Sequence, residues 1–379
     1  VGSITEKSNS QGLPQEPVLA RTFTAETPLH PAATQFLEDA FASGWANPTK
    51  IHHASRKTGI LIAEAKNTFC TLLGLAENEL FFLGDTPLGF HLGITGFAGA
   101  SGGTVFYPAT ARSMAYAVAE ALPNQKLEVD EFGHIGEVQG SEADLLVWQA
   151  VNAETGVRGV SPAGFRGKIF VDAVNSFGPI SAAPTFHETA GSGEAVPWSA
   201  AIWDSRAWSG PAGFSIFALK DRASWRNPLP HNDNKPTSGN ISIPLMIASA
   251  IALENYVKDF EANRNKLSQL NEQIRTFITN QFPGSHVAGN ISEVEPHLIS
   301  MTLAHMESSW LVNQLDRIGF AIDTGSACMS MNMQPSHVLA AMGLPVTGNI
   351  RLRLRPDHTE SDVENLLSAI ASVSETFAD

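Results

Sequence analysis

The sequence predicts an α/β protein, with a large domain on a mostly parallel sheet and a small C-terminal α+β domain. Three observations carry this. Between about residues 50 and 235, short continuously apolar stretches such as Leu145-Leu146-Val147-Trp148 and Ile169-Phe170-Val171 alternate with segments of helical period. Strands with no polar alternation belong to sheets covered on both faces. Beyond a Pro- and Asn-rich stretch from Asn227 to Asn240 the texture changes, and 379 residues are more than one small core requires.

In chain order, residues 1–18 are rich in Ser, Gly, Gln, Glu and Pro and lack an apolar centre. They are expected to form a disordered tail and not a signal peptide. Residues 19–50 are assigned to an N-terminal segment packing on the small domain. Within it, a helical period (Leu29, Ala32, Phe36, Leu37, Ala40, Phe41) runs from Thr27-Pro28 to Gly44, and Asn47-Pro48 ends it.

The large domain is assigned to residues 51–240. It opens with an amphipathic helix from Ala54 to Leu75, in which Cys70 reads as a small core residue. Glu79 to Leu83 reads as a short buried strand. Gly84-Asp85-Thr86-Pro87 then starts a helix, with Asp85 or Thr86 as N-cap and Pro87 at the first helical position. Strands follow at Thr104 to Tyr107, Leu127 to Val129, Leu145 to Ala150 and Ile169 to Val171, with a helix from Arg112 to Ala121. From Ile202 to Leu219 the chain reads as strand, tight loop and return strand, the loop carrying Gly210-Pro211-Ala212-Gly213.

Residues 241–282 are assigned to a linking helical region, periodic from Pro244 to Phe282. Residues 283–379 form the small domain, with strands near His297 to Leu303 and Ile350 to Leu354. Its helices are placed near Trp310 to Ile318, Pro335 to Met342 and Ser361 to Ala371.

A formal charge of −14 from 24 basic and 38 acidic residues leaves no material for a basic face, which argues against nucleic acid as a partner. No apolar run approaches the ~20 residues of a membrane span. Cys70 and Cys328 are the only cysteines, so no disulfide framework is expected, and a cytoplasmic location is the simplest reading. The histidines, among them His52, His53, His91, His134, His187 and His337, show no metal-ligand spacing, so no metal site is expected.

Several separated pieces carry chemistry. Val171-Asp172-Ala173-Val174-Asn175-Ser176 sets an acid at the end of a buried strand, where a desolvated carboxylate needs a cation. The loop Asp204 to Gly213 stands where α/β proteins place functional residues. Thr324-Gly325-Ser326-Ala327-Cys328-Met329-Ser330, Gln334-Pro335-Ser336-His337-Val338-Leu339 and Asn349-Ile350-Arg351 complete the set.

Together these pieces resemble the class V aminotransferase family of fold type I pyridoxal-phosphate enzymes, and most closely its cysteine desulfurases. The resemblance covers about residues 22 to 372, from the Ser43-Gly44 and Asn47-Pro48 region to the last helix, and it implies a seven-stranded-type sheet, pyridoxal phosphate and a homodimer. By this resemblance Thr86 falls where the family binds the cofactor phosphate. Asp172 falls on the acid that pairs with the pyridinium nitrogen, and Asn175 on the amide that bonds the ring hydroxyl. Cys328 matches the persulfide nucleophile and Arg351 the arginine that holds an amino-acid carboxylate.

The departures weigh as much. Where the family has Ser-x-His-Lys before Gly-Pro, this chain has Asp204, Ser205, Arg206 and Ala207, so the Schiff-base lysine is missing. Lys220 lies beyond the return strand and is no substitute. Asp204 and Asp85 would both oppose a phosphate, and like charges ~4 Å apart cost on the order of 4 kcal/mol at an effective dielectric of ~20. Arg206 could offset them. The ring-stacking histidine is replaced by Arg112, the second asparagine of an Asn-Asn-Glu element by Ala153, and a phosphate-binding threonine from the partner subunit by Asn240.

Blander readings stand beside these. Asp172 could be an ordinary ion pair or cap, and Cys328 a small loop residue. Arg351, Arg353 and Arg355 could form a row in which one or more pair with Asp172, Asp204 or Asp323. Trp148, Trp203 and Trp208 read as packing residues. Two functions remain open: an enzyme acting on an amino acid through non-covalently held pyridoxal phosphate, or a non-catalytic dimeric binding or regulatory protein of the same fold.

Overall fold

A computed structural model of the chain describes residues 19–44, 50–160, 162, 164–176, 196–231, 241–324 and 335–377. The N-terminal tail, Asn47-Pro48, Asn240 and the piece containing Cys328 lie outside the described residues.

The large domain is organised on a seven-stranded sheet. Its strands are β1 (Leu80–Leu83), β2 (Val105–Pro108), β3 (Asn124–Leu127), β4 (Leu145–Gln149), β5 (Lys168–Asp172), β6 (Ala200–Asp204) and β7 (Ser215–Leu219), in the order β1-β7-β6-β5-β4-β2-β3. Strands β2 to β6 pair in parallel, and β7 runs antiparallel to both β6 and β1. The expected strand after Ile202 and its return strand are β6 and β7. The third strand ends at Leu127, where it was expected to begin, and Val129 instead makes an isolated bridge to Ile135.

Successive residues of the central strands enter opposite cores. Leu146, Trp148, Val171, Ala201 and Trp203 face one side, and Leu145, Val147, Phe170, Ala200 and Ile202 face the other. This period of two, with both phases apolar, is why these strands carry no polar alternation. The first face is covered by α1 (Pro31–Ser43), α2 (His53–Leu73) and α6 (Ile243–Lys258), through residues such as Leu37, Phe69 and Met246. The second is covered by a helical stretch made of α3 (Thr86–Phe90), a π-helical turn (His91–Thr95) and α4 (Gly96–Ser101), together with α5 (Ser113–Glu120).

Helix α1 begins later than the periodicity from Thr27 suggests. Pro31 opens it, and His30 caps it by accepting from the Ala32 amide, so Thr27 to His30 remain extended for another use. The helical region after residue 241 is two helices, α6 and α7 (Phe260–Gln281), which meet at Asp259. Helix α6 is buried nearly all round within the large core. Helix α7 buries one stripe, Leu267, Leu270, Ile274 and Ile278, in the small core.

The small domain holds a four-stranded antiparallel sheet, β10-β11-β9-β8, from β8 (His286–Val287), β9 (Leu298–Thr302), β10 (Asp323–Thr324) and β11 (Asn349–Arg353). Helices α8 (Ser308–Arg317), α9 (His337–Ala341) and α10 (Glu360–Glu375) accompany it. Two short strands, β8 and β10, escape sequence reading because two residues carry no periodicity. Phe23 enters this small core and its carbonyl accepts from the Arg353 amide, so the N-terminal segment ties itself to β11.

Candidate functional site

A cleft of about 350 Å³ lies where the carboxyl ends of β5 and β6 meet β11 of the small domain. Ligand sites of open α/β sheets occupy this position. Its walls include Arg112, Ala153, Glu154, Asn175, Asp204, Arg206, Ala207, Asp323, Arg351 and Arg353. Most of the candidates expected from sequence therefore converge here, and Thr86 and Asp172 stand directly behind through their bonds to Asp204 and Arg112.

The loop after β6 is held from both sides. Asp204 ends the strand opposite Ser215 in register, and a 3-10 turn, Ser205–Trp208, carries Ala207. Trp208 is fully buried and its indole donates to the Ser249 carbonyl at 3.1 Å, while the Ser205 hydroxyl meets the Ser249 hydroxyl at 2.8 Å. A Cβ at position 210 would lie 2.0 Å from the Ser205 hydroxyl, so the first residue of Gly-Pro-Ala-Gly is fixed as glycine by contact.

Within this frame the charges are already paired. Asp204, 4% exposed, accepts from the Thr86 hydroxyl at 2.7 Å, from the Arg206 Nε at 2.9 Å and Nη2 at 2.8 Å, and from the Arg206 amide at 2.9 Å. The Thr86 hydroxyl also lies 2.7 Å from that of Ser215. Burial by itself would raise the Asp204 carboxyl, but the bonds from Arg206 and Thr86 and the Arg206 charge outweigh it and hold the group below its ordinary value.

Thr86 is the first residue of α3 and not its cap, and Pro87 is the second. Asp85 occupies the cap position without capping through its side chain, and it is exposed. The expected opposition of two acids at this spot therefore reduces to Asp204 alone.

Asp172, 1% exposed, accepts from the Arg112 Nε at 3.1 Å and the Gln149 amide at 3.3 Å, with its other oxygen taking the Val174 amide at 3.1 Å. The cation that Asp172 was expected to need is thus Arg112, and the expected pairing of Asp172, Asp204 or Asp323 with the Arg351 to Arg355 row is not what forms. Arg351 donates to the Thr324 carbonyl and lies 4.0 Å from Glu154, and Arg355 pairs with Asp357. Asp323 accepts from the Ala25 amide. Strand pairing decides this, because Asp172 lies in register with Gln149 and Ile202 in the large sheet, away from β11.

Glu154 is buried, which raises its carboxyl, with Arg351 partly opposing the rise. It is held in place by Asn152, whose side-chain oxygen accepts from the Glu154 and Thr155 amides. His337 Nε2 donates to the Ala111 carbonyl at 2.9 Å and fixes the small domain against the Arg112 loop. Sequence reading missed Gln149 and Ser215, whose parts depend on strand register. Lys220, set aside from the sequence, lies over the Trp198 ring at 3.9 Å, and no lysine lines the cleft among the described residues. Nor is any group of three His, Cys, Asp or Glu placed to hold a metal among them.

Comparison with known proteins follows the same lines. The model of the aminotransferase class-V family matches residues 225–366. A cysteine desulfurase IscS of Dictyoglomus turgidum is 23% identical over 378 residues, covering 93% of each chain. A cysteine desulfurase of a Nostoc species is 23% identical over 381 residues, covering 93% of this chain and 91% of its own. Among solved structures, a NifS-like protein superposes with a TM-score of 0.80 at 19% identity, over 94% of this chain and 99% of its own. The apo cysteine desulfurase of Thermococcus onnurineus gives 0.76 at 13% identity, over 94% of both.

Pyridoxal phosphate is the cofactor this kinship implies, and the cleft residues fit it poorly. Among the described residues no lysine is present on the wall for a Schiff base. The Thr86 hydroxyl is spent on the Asp204 carboxylate, and Asp172 Oδ2 is taken by Arg112. The matched segment and the relatives aligned along nearly the whole chain nonetheless agree in direction: residues 225–366 match the class V aminotransferase model, the relatives named above are cysteine desulfurases, and the chain shares their fold.

Proposed function

We propose that this chain is a degenerate class V aminotransferase-fold protein that forms no covalent pyridoxal phosphate adduct and serves as a dimeric, cytoplasmic binding or regulatory protein. Its arginine-lined cleft holds a small anion of amino-acid size. The observation that carries this reading is the closed set Thr86, Asp204 and Arg206 beside Ala207. A positive residue that should face an anion is occupied by an acid, and the acid is tied to the threonine.

Titration with pyridoxal phosphate, followed by borohydride and intact-mass measurement, tests it. The expected result is no Schiff-base colour and no added mass. A pyridoxyl-lysine adduct would overturn the reading.

A second reading is favoured by Arg351, which lines the cleft as an amino-acid carboxylate site would require. Under it the protein is a cysteine desulfurase using non-covalently held cofactor, with Cys328 as sulfur acceptor. Sulfide release from cysteine that disappears in Cys328→Ala would establish that alternative.

A further inference from the structure

A second cavity of about 310 Å³ adjoins the cleft and shares Arg206, Ala207 and Arg353 with it. Its volume falls in the range of small-molecule sites. Much of the wall is apolar, from Pro28, Leu29 and Pro31 on the extended N-terminal segment and Leu267, Leu354 and Pro356 on the small domain. At position 207 the shared wall carries only a methyl group, so a longer side chain there would take up space in one or other cavity.

The charges around this cavity are settled in all but one case. Arg206 is held by Asp204. Arg355 and Asp357 hold each other at 2.9 and 3.0 Å, and Arg355 also donates to the Thr22 carbonyl at 2.6 Å. Burial keeps His297 uncharged, pushing it down to about 3, and keeps the proton on Tyr256, pushed up to about 12. The guanidinium of Arg353 has no hydrogen-bond or ion-pair partner among the described residues, although burial bears on it strongly enough to lower its pKa. Arg353 is half-buried between the cleft and this cavity, and Asp204 and Glu26 act on its charge only from beyond ion-pair distance, so its desolvation is not fully offset. A bound anion completes the offset.

We infer that this cavity is a binding site for a small monocarboxylate with an apolar body, its carboxylate paired with the two-nitrogen edge of Arg353 and its body against Leu29, Leu267 and Leu354. One unpaired cation matches one negative charge, and Asp357 on the same wall disfavours a dianion. The apolar lining excludes a ligand that is polar throughout. The site adjoins the cleft and shares Arg353 with it, but its apolar walls, Leu29, Leu267 and Leu354, line this cavity and not the cleft.

Isothermal titration of the full chain with octanoate tests this. One-site saturable binding is expected, with octanamide at least about tenfold weaker, since the ligand then loses a charge-assisted pair. Arg353→Gln should weaken octanoate by a similar factor and Arg353→Lys by less. Arg351→Gln, which alters the cleft alone, should leave the affinity within about twofold. Absence of octanoate binding at millimolar concentration, equal binding of octanamide, or an equal loss in Arg351→Gln would each overturn the assignment. The octanoate and octanamide comparison uses the unaltered protein, so the test stands even if a variant folds poorly.

Discussion

Arg206 turns back on Asp204, two residues upstream, and grips both carboxylate oxygens, with Nε to Oδ1 at 2.9 Å and Nη2 to Oδ2 at 2.8 Å. The Thr86 hydroxyl donates to Oδ2 of the same carboxylate, and the Ser215 hydroxyl meets that of Thr86. Asp204→Asn should therefore destabilise the fold at neutral pH by about 1–3 kcal/mol, the cost of weakening a buried acceptor whose cation is largely exposed. The folded carboxyl titrates below its ordinary value. Its stabilisation is thus fully present above the unfolded value and lost as pH falls through the folded one. Urea unfolding at pH 7 and at pH 3 should show the gap between wild type and variant narrowing in acid.

Among the described residues Asp172 has a single cationic partner, Arg112, whose side chain is 19% exposed. Arg112→Gln should cost on the order of 3 kcal/mol by leaving a buried carboxylate without its cation. Adding Asp172→Asn should recover part of that loss. A thermodynamic cycle over the two single variants and the double variant measures the coupling, and a coupling near zero would mean that the pair does not stabilise the fold.

The helical stretch from Thr86 to Ser101 lies so close to β5 that a Cβ on Gly93 would come within 2.2 Å of the Phe170 ring. Gly93→Ala should destabilise by about 1–3 kcal/mol through overpacking, despite the better helix propensity of alanine. Gly99, on the same stretch, has no heavy atom within 4 Å of its would-be Cβ. Gly99→Ala should be neutral or slightly stabilising, and chemical denaturation of the two variants distinguishes packing from propensity.

His297 is half-buried beside Arg353, and desolvation followed by that charge pushes it down to about 3. A base lowered on folding binds protons better when unfolded, so its contribution erodes as pH falls below about 6.5 and continues to fall toward the folded value. Wild-type stability should drop with a slope of up to about 1.4 kcal/mol per pH unit from this group. His297→Gln should show a shallower slope between pH 6 and 4 in urea unfolding.

The sequence by itself determined the α/β class. Leu145 to Trp148 and Ile169 to Val171 are apolar in both phases, and such a strand is stable only between two covered faces. It also marked the loop after β6, because an apolar strand ending in Asp204 and resuming after Gly-Pro-Ala-Gly leaves few other geometries. The convergence of Arg112, Asp204, Ala207 and Arg351 on one cleft followed from a family resemblance and could not have come from spacing.

Tertiary structure alone decided the partner of Asp172. Asp172 takes Arg112, 60 residues away, in place of the arginines of β11, because sheet register sets Gln149 and Arg112 beside it. The cavity at Ala207 is likewise invisible in sequence, since its walls come from the N-terminal segment, α6, α7 and β11 and exist only when these pack together. Local sequence fixes which segments become strands and helices, through burial and periodicity. Which charge meets which, and which is left without a partner, depends on distances that only the packed chain defines.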